Sequence, residues 1–575
     1  MSLRTNFLNL FKWNTQDDED LNSNFDIDSA MNDNWDTIDE AVSNLDGNKV
    51  DKVAGKGLSE KDFTAAKETK LDGIAAGAQV NVLEGLTLNG TDLSISGKKT
   101  EIKDPEVTNA RQSTAKGKTF ESVDARFEEL ENEVDSIETT RGHVYGIRRK
   151  ITNNSSSTWE RLFDSIGKTS TATKNGGTVQ NDFDNLAPWS EIKSCNYDLT
   201  TKKINAWFGD ANFKFDGTNG DVFTHVPKTY WKIYQEDDYD YVLLADYPRA
   251  GFMEVEGFFA GRYNGSVVSD VLHSYSGLVP TTNKTRAQFR TLANTLGTNF
   301  SQLDWRYFIL QMLYLVEYAD YNSQSKLGNG VQNRKYLKTL VAESNTNRAI
   351  IGSSSGYYVG QIIRIGTSDG GTQVADARKI TAIEAYDEDG VTGYAITFDG
   401  AAVNIAVDNF VCTMAQETGQ CDSLGMKSGC LNNDGYHSVI YRGIENLFAN
   451  IFQWVDGINI KDNVAYICKD HSQYADDTFA SPYKALAYTN CTSNGNPKTL
   501  GLDVDEPFFR FPTEVGGGSS TYMCDYYYQN TGNRVARVGG YFSAGAGDGL
   551  WCWHLGSTSS DANWNVGCRV LIDNQ

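Results

Sequence analysis

The composition of residues 50–97 constrains the fold most strongly, because such a segment does not bury enough apolar surface to form a core by itself. It reads VDKVAGKGLSEKDFTAAKETKLDGIAAGAQVNVLEGLTLNGTDLSISG and is rich in Gly, Ala and Lys, with only short alternating stretches. Tyr, Phe and Trp are concentrated after residue 150 instead. The chain has 575 residues, which is more than a single core usually organises. We therefore expect several domains, with the large core in the C-terminal two-thirds.

The net charge of −23 makes nucleic acids and anionic membrane surfaces poor partners, because the chain repels phosphate groups. Neutral polar ligands such as sugars stay open. No apolar run reaches the roughly 20 residues that span a bilayer. The N-terminus MSLRTNFLNLFKWNTQDDED contains no apolar signal core. We expect no nucleic-acid partner, no membrane insertion, and synthesis in a cytoplasm without a signal peptide.

Two N-terminal segments show helical periodicity. Within residues 1–50, apolar side chains recur at steps of three and four from Leu21 to Leu45, which predicts an amphipathic helix that needs a partner. Residues 120–145 predict a short coiled coil, because apolar residues alternate at steps of three and four between acidic ones. The seam of this coiled coil consists of Phe120, Val123, Phe127, Leu130, Val134 and Ile137. An amphipathic helix packed on its own domain is the alternative.

Residues 50–81 resemble the stalk segment that recurs in bacteriophage tail fibres, and the phrase KLDGIAAGAQVN within them is specific. Such stalks are intertwined homotrimers, which would order a segment without its own core. The resemblance implies a fibrous trimeric stalk over residues 51–119. It also implies that residues 1–50 attach to a phage tail or baseplate protein, and that the protein is located in the virion tail.

Strands and loops predominate after residue 150. Two stretches predict helices: TRAQFRTLANTLG at residues 285–297, and QLDWRYFILQMLYLVEYAD at residues 302–320, which is apolar nearly all round and is expected to be buried. Residues 350–412 alternate at period two between DGG and DEDGV turns. This pattern predicts a small β-subdomain inserted into a larger domain, whose two parts are then residues 146–349 and 413–575.

The segment YRGIENLFANIFQWVDGI, residues 441–458, resembles a motif of the formylglycine-generating-enzyme family and its C-type-lectin-like relatives, in which a helix end packs into the core. Other segments that resemble this family follow in its order, at residues 222–236, 257–266, 302–320 and 534–572. The resemblance spans about residues 180–575 apart from the insert. The two resemblances imply an α+β fold class: an N-terminal helical and fibrous trimeric stalk with a short coiled coil, then a C-type-lectin-like head carrying the inserted β-subdomain.

The oxidase chemistry of this family does not transfer with the fold. Its oxidase members bind copper through a cysteine pair, and no two cysteines of this chain align onto that pair; Cys568 stands where the family has Phe. We therefore expect no enzyme activity, no catalytic residue, no metal and no cofactor. The nine cysteines are scattered without CxxC spacing and are predicted to be buried free thiols. Disulfides between Cys421 and Cys430, or between Cys552 and Cys568, stay open.

Other catalytic patterns carry little signal. The G-x-S-x-G matches at residues 352–356 and 366–370 lead into β-patterned sequence, so they predict turns and not a nucleophile elbow. The six histidines occur singly, without metal-ligand spacing. A pair of glycosidase carboxylates stays open, because the 75 acidic residues offer many pairs. Trp454 and Asp456, at the end of an apolar run that we interpret as a helix, are expected to be scaffold: a core tryptophan and a carboxylate that braces a loop.

The late segments TYMCDYYYQNTGNR and YFSAGAGDGLWCWHLGSTSSDANWN have the Tyr, Trp, Ser, Gly and Asn composition of adaptable binding loops. The candidate receptor-binding residues are Tyr526, Tyr527, Tyr528, Asn530, Tyr541, Trp551, Trp553, His554, Asn563 and Trp564. Core and surface positions stay equally open for Tyr527, Trp551 and Trp553, whereas Trp564 favours the core. The run from Tyr526 to Tyr528 cannot be wholly buried in a strand, since successive side chains point to opposite faces.

The same fold resembles the lectin-like heads of phage receptor-binding proteins, including those diversified by retroelements. We therefore expect a tail-fibre adhesin that attaches the virion to a bacterial surface glycan or protein without turnover. Three heads on one homotrimer would gain avidity. A glycan-degrading or oxidase head, and a purely structural fibre section, are the alternatives.

Overall fold

The structure is a computed structural model. It describes residues 3–4, 11–12, 86–88, 91–93, 109–113, 116–140, 142–177, 180–369 and 371–574. The chain divides into two compact units, Met1–Glu131 and Asn132–Gln575. The amphipathic helix predicted from Leu21 to Leu45 and most of the predicted stalk lie outside the described residues.

The described part of the first unit contains three short hairpins, a helical turn at residues 109–111 and the start of one longer helix. The hairpins pair Leu3–Arg4 with Phe11–Lys12, Leu86–Leu88 with Thr91–Leu93, and Gln112–Ser113 with Lys118–Thr119. The helix spans Val123–Thr140. Its seam residues Phe127 and Leu130 are 60% and 40% exposed, so the described part of the helix does not bury the predicted seam. The prediction of a coiled coil over residues 120–145 is therefore wrong.

The α+β fold class, with a helical stalk, a coiled coil and a C-type-lectin-like head, is also wrong. Strands account for 37% and helices for 12% of the described residues, so the fold is β-rich. Apolar spacing is a local signal, and in residues 452–458, which we interpreted as helical, pairing with distant strands determined the structure instead. Among the described residues, the α-helices that lie wholly in the second unit are Arg286–Thr295, Arg306–Tyr318 and Ser323–Leu327.

Both helices predicted in the second unit are confirmed. Arg286–Thr295 begins at a capping box, in which Thr285 Oγ1 accepts from the Gln288 backbone and the Gln288 side chain accepts from the Thr285 backbone. Arg306–Tyr318 is buried over its whole length. It packs against the strands Val144–Lys150 and Tyr239–Ala245 on one side. Its Phe308 ring stacks on Trp553, with ring centroids 4.8 Å apart.

Two antiparallel sheets build much of the second unit. The strand order of the five-stranded sheet is Met253–Val255, Thr229–Glu236, Tyr239–Ala245, Val144–Lys150 and Glu160–Phe163. The order of the six-stranded sheet is Lys203–Trp207, Lys193–Asp198, Asp221–Val226, Phe258–Gly261, Val570–Asp573 and Phe300–Gln302. The C-terminal strand thus lies inside this sheet, between two strands from the middle of the chain, and ties the end of the chain to the core.

A third large sheet carries the late aromatic segments. Its order is Lys484–Ala485, Val464–Ile467, Phe452–Lys461, Asn533–Val538, Trp553–Ser557 and Tyr528–Gln529, and Val566–Gly567 also pairs with Phe452–Lys461. Its central strand pair, Phe452–Lys461 with Asn533–Val538, has a register shift between Val455 and Asn459. Of the predicted binding residues, Tyr528, Trp553 and His554 therefore lie on neighbouring strands, whereas Tyr526, Asn530, Tyr541, Trp551, Asn563 and Trp564 lie in the connections between strands.

The strand Phe452–Lys461 corrects our interpretation of residues 443–458 as a helical run. All but its last residue are buried, including the polar Gln453, Asp456 and Asn459, so both faces of the strand are buried and no alternation marks it in the sequence. Trp454 is fully buried, as expected, and its indole donates to the Lys284 carbonyl at 3.0 Å. Asp456 lies within the strand and does not brace a loop; it accepts from Arg290, which belongs to the helix Arg286–Thr295.

The segment predicted as an inserted β-subdomain forms a six-stranded sheet with a hydrophobic cluster of its own. The strand order is Tyr336–Lys338, Phe410–Thr413, Ile362–Gly366, Gln373–Glu388, Val391–Phe398 and Arg348–Ile351. The sheet therefore begins at Tyr336, before the predicted boundary at residue 350. The G-x-S-x-G match at residues 352–356 lies in a turn-rich connection with no helix after it, as predicted.

The remaining described elements are short. A four-stranded sheet has the order Ile444–Glu445, Ile440–Tyr441, Gly429–Cys430 and Thr173–Lys174. Two-stranded pairs join Ser266–Val268 to Val271–His273, Glu343–Thr346 to Val403–Ile405, and Pro497–Leu500 to Pro512–Val515. The 3-10 helices are Asp182–Asn185, Trp189–Glu191, Asp422–Leu424, His471–Gln473 and Gly545–Gly547. All nine cysteines are free, and all except the half-buried Cys491 are buried, so the prediction of buried free thiols is confirmed for eight.

Candidate functional site

A cleft of about 450 Å³ opens on the third sheet. Five of the residues chosen from the sequence line it: Tyr526, Tyr528, Tyr541, Trp553 and His554. The strand Trp553–Ser557 pairs in parallel with Tyr528–Gln529 and antiparallel with Asn533–Val538. These pairings bring residues that are distant in the sequence to one surface. Five of the candidate residues predicted from the sequence therefore belong to one site.

The tyrosine run follows the alternation expected of an extended chain. Tyr526 is 43% exposed and Tyr528 is half-buried, whereas Tyr527 is fully buried between them. The Tyr527 hydroxyl donates to the Cys491 carbonyl at 3.0 Å. Tyr526 and Tyr528 thus present ring surface to the cleft, and Tyr527 belongs to the core.

Tyr528, His554 and Arg537 form one connected wall of the cleft. The rings of Tyr528 and His554 stack with centroids 4.4 Å apart and planes inclined by 22°. Arg537 Nη2 lies 2.9 Å from His554 Nε2. Because arginine has only donors, the imidazole nitrogen accepts in this contact, which requires Nε2 to be unprotonated. The histidine thereby positions the guanidinium at the cleft.

The base of the cleft is aromatic. Phe452 stacks on Tyr541 with centroids 5.4 Å apart and an interplanar angle of 25°. The Arg537 guanidinium carbon lies 4.4 Å from the centroid of the Phe452 ring, which is a cation–π contact. Phe452 therefore supports both the tyrosine and the arginine from below.

Burial dominates the electrostatics of this wall. It lowers the pKa of Arg537 to about 10, so the guanidinium still carries its charge at neutral pH. Burial, and then the neighbouring charge of Arg537, lowers the pKa of His554 to about 3. The imidazole is therefore neutral at physiological pH. The pair presents one positive charge to the cleft.

Two buried carboxyl groups hold the segment that carries Tyr541. Asp548 Oδ1 accepts from the Tyr541 backbone at 3.0 Å, and Asp525 Oδ2 accepts from the Trp551 backbone at 2.8 Å. Asp548 Oδ2 has no hydrogen-bond partner among the described residues. Burial raises the pKa of both carboxyl groups well above their usual range.

The other predicted residues divide between core and surface. Trp551 is 2% exposed and packs edge-on against Tyr321, so it belongs to the core. Trp553 is 1% exposed and touches the cleft only from beneath. Trp564 is 40% exposed, which corrects the expectation of a core position. Asn530 and Asn563 are exposed at other parts of the surface and do not line the cleft.

Sequence reasoning missed Arg537, Asn565, Asn496, Ser519 and Phe452, which also line the cleft. Arg537 had one signal, because it stands in the short strand NRVARV between the buried residues Ala536 and Val538. An arginine between buried residues of a strand is almost never fully buried unless its charge is paired or it has a functional role. Asn565 is the last residue of the second late segment but was not among the candidates, and Asn496, Ser519 and Phe452 lie in segments that approach the cleft only through tertiary folding.

None of the described helices is both long and apolar enough to cross a bilayer. In the described part of the chain, no group of three or more His, Cys, Asp and Glu side chains is arranged to hold a metal ion. Comparison with known protein families and with curated proteins finds no match to this chain.

Proposed function

We propose that the chain is a receptor-binding protein of a bacteriophage tail, which attaches the virion to a bacterial surface through the cleft and without catalytic turnover. The resemblance of residues 50–81 to tail-fibre stalks supports the phage assignment. The cleft supports binding, because it is concave, partly apolar and lined by a few polar groups. A bacterial surface glycan or protein is the proposed receptor.

The observation that carries the proposal is the set of tyrosines at the cleft. Tyr526, Tyr528 and Tyr541 contribute rigid rings with polar tips, which give contact area at low cost in side-chain entropy. Such rings also stack on the apolar faces of sugars. The cleft volume of about 450 Å³ lies within the range usual for small-ligand sites.

The proposed assembly is a homotrimer whose N-terminal region joins a tail or baseplate protein. Three linked clefts would raise the effective concentration at the second and third contacts, provided that the receptor spacing lets them engage together. The protein would be made in the host cytoplasm and act on the particle outside the cell. Sedimentation equilibrium on the full chain tests the assembly: the mass of three chains supports it, and the mass of one chain contradicts it.

Replacing Tyr526 and Tyr528 together by alanine is expected to weaken attachment to host cells by at least tenfold, about the loss of a central aromatic contact. The binding isotherm of the labelled full chain on intact candidate host cells measures this. Tyr527 is left unchanged, because its ring is buried and its loss would disturb the fold.

Tyr394→Ala is the matched control. Tyr394 is 37% exposed, close to the 43% of Tyr526, and lies in the strand Val391–Phe398 away from the cleft lining. The control should bind as tightly as the wild type. Equal binding by the double variant and the wild type would exclude the cleft as the attachment site.

A further inference from the structure

We propose that the cleft recognises a sugar carrying an anionic group, and that Arg537 binds this anion. The inference rests on the proposed function and adds the chemical class of the receptor. The ligands of this class share a pyranose ring that carries a carboxylate or a phosphate. The ring would stack on the tyrosines, and the guanidinium would bind the anionic group.

Arg537 is buried without a carboxylate partner. It is 8% exposed, and among the described residues no Asp or Glu lies within ion-pair distance of it. Two other buried arginines have carboxylate partners: Arg286 pairs with Asp476 at 2.5 Å, and Arg442 pairs with Glu317 at 2.7 Å. Arg569 has no carboxylate partner either, but it donates to the Gln453 side chain and to four backbone carbonyls. A buried charge is costly unless it is paired, so an unpaired guanidinium at a cleft indicates an external anion.

The hydrogen-bonding capacity of Arg537 is largely unused. The contact from Nη2 to His554 accounts for one of its five N–H groups, and Nε has no partner in the described part of the chain. The cation–π contact with Phe452 stabilises the charge but accepts no in-plane hydrogen bond. Asp561 acts on the guanidinium only through longer-range attraction. Donors therefore stay available for a bidentate contact with an anion.

Two further polar groups of the cleft wall lack partners. Asn565 Oδ1 and Trp553 Nε1 are buried without a hydrogen bond to any described residue. One is an acceptor and the other a donor, which suits sugar hydroxyls because a hydroxyl both donates and accepts. Other described residues, such as Trp551 and Tyr314, also have buried polar atoms without partners, so these two groups support a polar ligand because they line the same cleft as Arg537.

The net charge of −23 does not oppose a local contact of this kind. Repulsion between distant charges is screened over about 8 Å at physiological ionic strength, whereas partly buried pairs are screened much less. Long polyanions such as nucleic acids still meet the whole negative surface. A single anionic sugar inserted at Arg537 meets mainly the guanidinium.

The test compares two ligands that differ only in the anion, methyl β-glucuronide and methyl β-glucoside, on the full chain by ligand-observed NMR titration. We expect the glucuronide to bind at least tenfold more tightly, about the contribution of a charge-assisted hydrogen bond. Glucose 6-phosphate is the third ligand. Binding as tight as the glucuronide identifies a general anion site, and weaker binding identifies a carboxylate site; both outcomes support the proposal.

Arg537→Gln should bring the affinities for the glucuronide and the glucoside to within about threefold of each other, because only the anion loses its partner. Arg534→Gln is the matched control: it makes the same change in the same strand, Asn533–Val538, at a residue outside the cleft lining. This control should keep the preference of the wild type.

Equal affinity of the wild type for the glucuronide and the glucoside would overturn the inference, whether or not Arg537→Gln folds. The proposed function fails separately, on the cell-binding experiment with Tyr526 and Tyr528. If the double variant loses cell binding but the wild type shows no preference for the glucuronide, the adhesin function is retained and the anionic receptor is excluded. If the wild type prefers the glucuronide but does not bind cells, the anion site is retained and the proposed adhesin function is excluded.

Discussion

Asp456→Ala is expected to lower the free energy of unfolding by about 3–5 kcal/mol, the usual cost of breaking a buried ion pair by removing one partner. Asp456 is fully buried. It accepts from Arg290 Nε at 2.6 Å and from Arg290 Nη2 at 2.7 Å, and Gln302 Nε2 donates to it at 2.8 Å. Alanine would leave Arg290 Nε without its acceptor in the interior, whereas Arg290 Nη2 keeps Asp476 Oδ1 at 2.7 Å and Gln302 Nε2 keeps the Arg286 carbonyl at 2.8 Å.

Urea unfolding of the full chain, followed by tryptophan fluorescence, measures this loss. Asp505→Ala is the matched control, because Asp505 is 74% exposed and pairs only with the exposed Lys484. Surface pairs of this kind contribute at most about 1 kcal/mol. A loss at Asp456 as small as that of the control would contradict the structural role of the Arg290 pair.

Asp548→Asn is expected to make stability less dependent on pH. Burial raises the pKa of Asp548 and of Asp525 in the folded state, so the folded protein holds protons that the unfolded chain releases. The unfolded chain then binds fewer protons, and stability falls as pH rises from about 4 towards the folded-state pKa. Each such carboxyl group contributes a slope of about −1.4 kcal/mol per pH unit.

The Asp548→Asn variant removes one of the two contributions, because an amide does not ionise. The amide oxygen of the new side chain can still accept from the Tyr541 backbone, as Asp548 Oδ1 does at 3.0 Å. Between pH 4.5 and pH 7, the free energy of unfolding of the variant should therefore rise relative to that of the wild type as the pH increases. Asp505→Asn, at an exposed position, should follow the wild type. Parallel curves for Asp548→Asn and the wild type would show that Asp548 is ionised in the folded state.

The sequence predicted those elements whose signals are local. The helix Arg286–Thr295 has a capping box at its start, and the buried helix Arg306–Tyr318 is long and apolar on all sides. The inserted sheet shows alternation and turn residues. The strand Phe452–Lys461 was interpreted as helical because burial on both faces removes the alternation that marks a strand. The coiled-coil interpretation failed because spacing alone does not supply a partner for Phe127 and Leu130.

The candidate site was predictable only in part, for the same reason. Composition identified the aromatic segments, and strand alternation predicted that the run from Tyr526 to Tyr528 is not wholly buried, but only the structure shows that Tyr527 is the buried residue. Arg537 could not be assigned a role, because its lack of a carboxylate partner is a property of the folded chain. The positions of Trp551 and Trp564 likewise depend on packing between distant segments.

A crystal structure of the full chain, soaked with oligosaccharides released from the envelope of cells that it binds, tests the central claim most directly. The proposed function predicts a sugar ring against Tyr526 and Tyr528, with its anionic group at Arg537. A saccharide bound elsewhere, with the cleft empty, would contradict the assignment of this cleft as the receptor-binding site.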